Sequence, residues 1–121
     1  MSTTTREIYY TYRNKQNVPK VFVCLIPLAT DLIARGIAIC SRLDHPNKKI
    51  GRAIARGRAL AAIEEGGVKH RLITRLDANS ILDEVDAPFQ WGCKSRILKD
   101  GSKLTTKEQT LLKKVLGNNG S

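Results

Sequence analysis

One stretch of the sequence gathers most of the positive charge. Between positions 42 and 75 the chain carries nine lysines or arginines against three acidic residues, a local excess of +6 out of a net +10. Cationic groups at this density attract anions, and phosphates are the anions that such surfaces most often bind. The sequence therefore predicts a partner that bears phosphate.

The basic stretch has three interpretations. Its charges could form a solvated face that only keeps the protein soluble. They could contact the backbone phosphates of a nucleic acid, which would make binding strongly salt-dependent. Alternatively, a few arginines could hold one small anionic ligand. Aromatic residues form only 5% of the chain, which is few for a reader of single strands, and this favours a small nucleotide over a polymer.

Two aromatic residues are candidates for contact with a nucleobase. Phe89 and Trp91 follow Pro88 at the predicted start of a strand. A base needs an aromatic or guanidinium plane on which to stack. Ordinary core or sheet-edge packing is the alternative for both rings. Tyr9, Tyr10 and Tyr12 are interpreted as strand-forming residues (their alternation puts Tyr9 on the opposite face).

Motifs for catalysis, cofactors and metals are missing. The sequence contains no G-x-x-x-x-G-K-[ST] phosphate loop and no G-x-S-x-G elbow. Its two histidines are too far apart for a zinc pair on one helix. Asp83, Glu84 and Asp86 lie in a polar segment, so a hydrolase that uses Asp83 or Asp86 is the least supported function. We expect a protein that is not an enzyme and has no cofactor.

The cysteines and the hydropathy pattern bear on the compartment. Three cysteines, two of them inside apolar runs, fit a reducing environment rather than a disulfide framework. The N-terminus has no apolar signal core, and the longest apolar run is too short to span a bilayer. These features predict a cytoplasmic protein.

The elements that position the candidate residues fit one α+β domain over residues 1–121, with 1–5 and 117–121 frayed. Alternating and β-branched runs predict an antiparallel meander, and a helical period follows it. We predict strands over 7–15, 21–28, 36–40, 70–76 and 89–98, a helix over 48–65 capped by Asn47, and a C-terminal helix that opens on a Thr105–Glu108 capping box. The result is an antiparallel sheet with two main helices on one face.

The predicted helix over 48–65 has an apolar stripe that we expect to face the sheet. The stripe consists of Ile50, Ala53, Ile54, Gly57, Leu60 and Ala61. Arg52 and Arg56 are one turn apart on the opposite side, and Arg58 projects from another flank. A glycine on a buried stripe usually permits close approach of another backbone, and we expect this of Gly57.

The segment Cys40-Ser-x-x-Asp44, followed by Lys48-Lys49-Ile50-Gly51-Arg52-x-Ile54-Ala55-x-Gly57-Arg58, resembles a small family of phage proteins. Members of that family counter the bacterial Thoeris defence by sequestering cyclic ADP-ribose signals. The resemblance implies a binding protein without turnover, acting in the cytoplasm of an infected bacterial host. It also implies an oligomer built from dimers, with ligand pockets between subunits and, in some members, a cyclic oligonucleotide near a symmetry axis.

The resemblance implies roles for six residues, and Arg52 of the same basic helix is a seventh candidate for ligand binding. The Arg56-Gly57-Arg58 stretch would serve the oligonucleotide site. Phe89 or Trp91 would contact the adenine, and Arg96 would contact a phosphate. The alternative function is a nucleic-acid-binding module whose 48–58 helix contacts backbone phosphates. A third possibility is a protein that docks on an acidic host surface.

Overall fold

The computed structural model describes residues 7–29, 32–40, 47–64, 75–89, 95–98 and 104–116. In these ranges the chain forms a four-stranded antiparallel sheet of order β1-β2-β3-β4 and three helices. The strands are β1 (Ile8–Arg13), β2 (Pro19–Ala29), β3 (Leu32–Ile39) and β4 (Ser95–Leu98), and the helices are α1 (Lys48–Ile63), α2 (Arg75–Glu84) and α3 (Thr106–Leu116). The α+β class and the antiparallel meander are confirmed.

A compact turn joins β1 to β2. The side-chain Oδ1 of Asn14 accepts hydrogen bonds from the backbone N–H groups of Gln16 and Val18. Asn17 has φ 65°, a left-handed conformation that asparagine tolerates better than most residues. The turn sets the register in which Tyr10 faces Val23.

The sheet is covered on both faces. Residues 21–26 of β2 are each at most 2% exposed, so this strand is buried on both sides. Alternate residues of β2 enter two separate apolar cores, with Phe22 and Cys24 in one and Val23 and Leu25 in the other.

The helices occupy opposite faces of the sheet. Ala55 and Ala59 of α1 pack into the core that contains Phe22. The other core holds Ile81, Leu82 and Val85 from α2 and Leu112 from α3, with other residues. The expectation of two main helices on one face is therefore wrong, because β2 and β3 present apolar side chains to both sides and each side needs a cover.

Two of the predicted strands need correction. Arg75 and Leu76, placed at the end of a strand over 70–76, begin α2 instead; residues 70–74 lie outside the described part of the chain. Of the strand predicted over 89–98, residues 95–98 form β4 and Phe89 lies in no strand, while residues 90–94 lie outside the described part of the chain.

Helix α1 is rotated relative to the prediction. Its buried residues are Gly51, Ala55, Arg58, Ala59 and Ala61, whereas Ile50 is 57% exposed. The cause lies in Gly36 of β3, where a Cβ atom would collide with the backbone at Ala55 and Ala59. Since the helix backbone rests directly on Gly36, its smallest residues face the sheet. A close approach of the kind expected at Gly57 is found at Gly36.

Candidate anion-binding site

Helix α1 presents four exposed cations, Lys48, Lys49, Arg52 and Arg56, which we call the α1 basic face. Asn47 caps the helix, with its Oδ1 accepting from the N–H of Ile50 at 3.1 Å. The helix contains no acidic residue to offset these charges. Two lysines in the first turn also add to the positive end of the helix dipole, an arrangement that costs stability and favours a bound anion.

An aromatic ring from β1 borders the α1 basic face. The guanidinium carbon of Arg52 lies 5.4 Å from the centroid of the Tyr9 ring, within the range of a cation–π contact. Tyr9 is only partly buried and packs against the Phe22 core. An exposed arginine beside a partly exposed ring can contact both a phosphate and a nucleobase.

A carboxylate already engages one cation of this face. Arg56 Nε donates to Glu7 Oε2 at 2.7 Å, and the Tyr9 hydroxyl donates to Glu7 Oε1 at 2.8 Å. Burial raises the pKa of Glu7, but the hydrogen bonds from Arg56 and Tyr9 and the attraction of Arg56 outweigh it and hold this pKa below 4.5. Glu7 is therefore ionised at neutral pH, and its carboxylate shows that Arg56 and Tyr9 can hold an oxyanion together.

Arg58 has a different environment from Arg52 and Arg56. It is 7% exposed, and its Nη1 donates to the carbonyl of Ile37 at 2.7 Å. Burial lowers the pKa of Arg58. The carbonyl of Arg58 also accepts from the Ser95 hydroxyl, so this residue joins α1 to β3 and β4. Gly57, next to it, is partly exposed.

Phe89 and Arg96 lie on the opposite face of the sheet. Phe89 is buried in the α2 and α3 core, while Arg96 of β4 is exposed. Trp91 lies outside the described residues. The sheet therefore separates Arg52, Arg56, Gly57 and Arg58 from Phe89 and Arg96, and one protomer offers two distinct surfaces.

Phe89 belongs to a group of six residues that we call the Arg35 cluster: Tyr10, Tyr12, Arg35, Phe89, Lys107 and Glu108. Arg35 Nη1 donates to both carboxylate oxygens of Glu108, at 2.8 and 2.9 Å, and the Tyr10 hydroxyl donates to Glu108 at 2.7 Å. The Arg35 guanidinium lies 4.9 Å from the Phe89 centroid. Burial, followed by the nearby Glu108 carboxylate, raises the pKa of Tyr10, which therefore stays a hydrogen-bond donor.

Lys107 and Tyr12 lie at the edge of the Arg35 cluster and are more exposed than Arg35 and Glu108. Lys107 Nζ lies 4.9 Å from the Tyr12 centroid and 5.2 Å from that of Tyr10. The Phe89 and Tyr12 rings meet edge to face at 87°. The Arg35 guanidinium lies over one side of the Phe89 ring, as the Arg52 guanidinium does at Tyr9.

Sequence reasoning missed Arg35 and assigned Tyr9 only to strand formation. A signal for Arg35 was present, since it is the one charged residue in the strand LIARGIAI and alternates with Ile33 and Ile37 on a buried face. Such a residue needs a partner. Tyr9 gave no comparable signal, because its contact with α1 depends on the tertiary packing.

Comparison of the chain with protein-family models, curated proteins and solved structures finds no match. Within the described ranges, no three histidine, cysteine, aspartate or glutamate side chains group as a metal site requires. No helix in that part of the chain is long and apolar enough to cross a membrane.

Proposed function

We propose that the protein binds and sequesters a small phosphate-bearing nucleotide of the cyclic ADP-ribose class without cleaving it. The observation that carries this proposal is the α1 basic face, where exposed Arg52 and Arg56 lie one helical turn apart beside the Tyr9 ring and no acidic residue of α1 offsets them. The resemblance of the 40–58 segment to phage anti-Thoeris proteins directs the choice of ligand.

The chemistry of the α1 basic face suits this role. A pyrophosphate carries charges that two guanidinium groups can neutralise through paired hydrogen bonds. Tyr9, with Arg52 against it, supplies a plane for a base. Sequestration depends on affinity alone, so the site needs no nucleophile or general base.

The proposal has four further parts. The single domain rests on chain length and the cytoplasmic location on cysteine usage, and the other parts are taken from the resemblance. The chain acts as a single domain in the host cytoplasm, and it assembles from dimers with pockets between subunits. Cyclic oligonucleotides form a second ligand class. In the pocket between subunits, Arg52 and Arg56 come from one subunit. The Arg96 that contacts a phosphate of the ADP-ribose ligand, and the Phe89 or Trp91 that contacts its adenine, come from the other.

Isothermal titration with cyclic ADP-ribose isomers tests the proposal. We expect a saturable site, a thermal shift on binding, and recovery of unaltered ligand after heating. Arg52→Gln/Arg56→Gln should weaken binding at least tenfold, whereas the control Arg13→Gln, an exposed arginine in β1, should leave it within twofold. Glu7→Gln should strengthen binding, because it removes the carboxylate that competes for Arg56.

Two results would contradict the proposal. One is the absence of binding to every cyclic ADP-ribose isomer and cyclic oligonucleotide tried. The other is recovery of cleaved ligand, which would make the protein an enzyme.

A second candidate function is the binding of nucleic-acid backbones. It is favoured by the length of the α1 basic face, since Lys48 to Arg56 covers about 12 Å of helix, enough to reach more than one phosphate. If all four cations contact duplex phosphates, log K should fall against log salt with a slope of about −3 to −4. A protein that sequesters a small ligand should instead bind long DNA or RNA weakly and keep a stoichiometric nucleotide site.

A further inference from the structure

Arg35 and Arg96 form an unusual cross-strand pair. They are directly opposite each other in the antiparallel pairing of β3 with β4. Residues opposite each other in such a pair project to the same face of the sheet. Ile33 and Leu98, the next pair on this face, both lie in the α2 and α3 core. Two like charges in this arrangement destabilise a sheet unless something neutralises them.

Glu108 neutralises only one of the two arginines. Its carboxylate accepts from Arg35 Nη1 and from the Tyr10 hydroxyl, and its Oε1 also accepts from the N–H of Thr105. No contact with Arg96 is described for it, and Arg96 is exposed. The pair therefore retains one positive charge beyond what Glu108 balances.

Arg35 also has an unused donor. The residue is only 5% exposed, and its buried Nε has no hydrogen-bond partner within the described part of the protein. A buried donor without a partner costs stability, and native structures rarely leave one. The contacts with Glu108 and with the Phe89 ring hold the guanidinium in place, so the direction of this Nε–H is fixed.

We propose that Arg35 and Arg96 together form a phosphate-binding site on the α2 and α3 face of the sheet. After local movement of the side chains that bury this atom, a phosphate oxygen accepts from the Nε–H of Arg35, and the exposed Arg96 guanidinium binds the same group from the solvent side. The bound anion supplies the missing acceptor and screens the like charges across the strands. Arg35 is a residue that neither composition nor the family resemblance assigns to a ligand.

The inference deepens the proposed function in one respect, since it rests on Arg96 having the phosphate role given above. The Arg35–Arg96 site nevertheless lies across the sheet from the α1 basic face. The ligand we infer for it is any phosphate or diphosphate group, whether free or part of a nucleotide.

Titration of inorganic pyrophosphate at constant ionic strength tests the site. The Arg52→Gln/Arg56→Gln background removes competing binding at α1. In that background we expect one pyrophosphate site, weakened at least tenfold by Arg96→Gln and less than twofold by Arg13→Gln, which removes the same charge elsewhere. The thermal shift that pyrophosphate causes should disappear with Arg96→Gln and persist with Arg13→Gln.

A direct readout is the Nε–H signal of Arg35 in a ¹H–¹⁵N spectrum, assigned by its loss in Arg35→Lys. We expect pyrophosphate to shift this signal in the wild-type protein. If Arg35→Lys does not fold, the comparison of Arg96→Gln with Arg13→Gln remains decisive. Equal effects of Arg96→Gln and Arg13→Gln on pyrophosphate binding would overturn the inference. So would the absence of pyrophosphate binding in the Arg52→Gln/Arg56→Gln background.

The outcomes separate this inference from the proposed function. Pyrophosphate binding that depends on Arg96, with no affinity for any cyclic nucleotide, supports the Arg35–Arg96 site and refutes sequestration. Binding of a cyclic ADP-ribose isomer, together with no pyrophosphate site in the Arg52→Gln/Arg56→Gln background, supports sequestration and refutes the Arg35–Arg96 site. A repeat with AMP shows whether a nucleotide phosphate occupies the site as free pyrophosphate does.

Discussion

Glu108 is a fully buried carboxylate with several hydrogen-bond donors around it. It is 0% exposed and accepts hydrogen bonds from Arg35, from Tyr10 and from the N–H of Thr105. The backbone N–H of Glu108 in turn donates to the Thr105 hydroxyl. The same carboxylate therefore caps α3 and neutralises a cation in β3. A buried ion pair with this many hydrogen bonds can offset the cost of removing both charges from water.

We expect Glu108→Gln to lower the free energy of unfolding by about 3 to 5 kcal/mol, the usual cost of removing one partner of a buried pair. The amide keeps an acceptor for the helix cap but leaves the charge of Arg35 without a counter-ion. Urea denaturation followed by far-UV circular dichroism measures the change.

Glu64→Gln, the same replacement at an exposed position after α1, is the matched control for Glu108→Gln. It should change stability by less than about 0.5 kcal/mol. Similar small losses in both variants would show that Arg35 does not depend on Glu108.

At the scale of elements, the contact of α1 with β3 is decided by one glycine. A Cβ on Gly36 would meet the backbone of Ala55 and Ala59 and would lie 2.9 Å from the carbonyl carbon of Arg58. These are main-chain atoms of a helix, so no side chain can rotate to make room. A second close contact lies at Gly51 of α1, where the Phe22 ring of β2 leaves no room for a Cβ.

We expect Gly36→Ala to cost about 3 kcal/mol or more, at the upper end for an overpacked core, because α1 must move as a body. Gly57→Ala is the matched comparison, since Gly57 lies within the same helix and is partly exposed. It should stabilise the protein by about 0.5 to 1 kcal/mol. Thermal unfolding of both variants measures the difference, and a Gly36→Ala protein as stable as the wild type would contradict this close packing.

Local sequence signals identified the elements better than their faces. The Asn47 cap and the Thr105–Glu108 capping box are confirmed, because each depends on residues three apart in the chain. The buried face of α1 was predicted only in part. Ile54, Leu60 and Ala61 are buried or pack against the core as expected, but apolarity favoured Ile50, whereas the packing selects Gly51 opposite Phe22. That choice depends on Gly36 in another element.

The same limit applies to the candidate sites. Charge density alone identified Arg52 and Arg56 as exposed cations, and the structure places both on the surface. Composition gave no indication that Arg58 would be buried against Ile37, since an arginine in a basic stretch is usually exposed to solvent. Arg35 and Glu108 are 73 residues apart, and no local pattern connects them.

At the scale of the whole molecule, one sheet serves two cores. β2 contributes Phe22 and Cys24 to the core under α1, and Val23 and Leu25 to the core under α2 and α3. Loss of β2 would therefore expose both cores together. This arrangement favours a single cooperative unfolding transition over separate unfolding of the two layers.

Native-state hydrogen exchange measures this cooperativity directly. We expect the amides of Val23 in β2, Ala55 in α1 and Ile81 in α2 to exchange with opening free energies within about 1 kcal/mol of one another, close to the global value. All three residues are fully buried and lie on different layers of the fold. A markedly lower value for Ile81 alone would mean that α2 opens while β2 stays folded. In that case the α2 side of the Arg35 cluster, which includes the segment leading to Phe89, could admit a ligand without global unfolding.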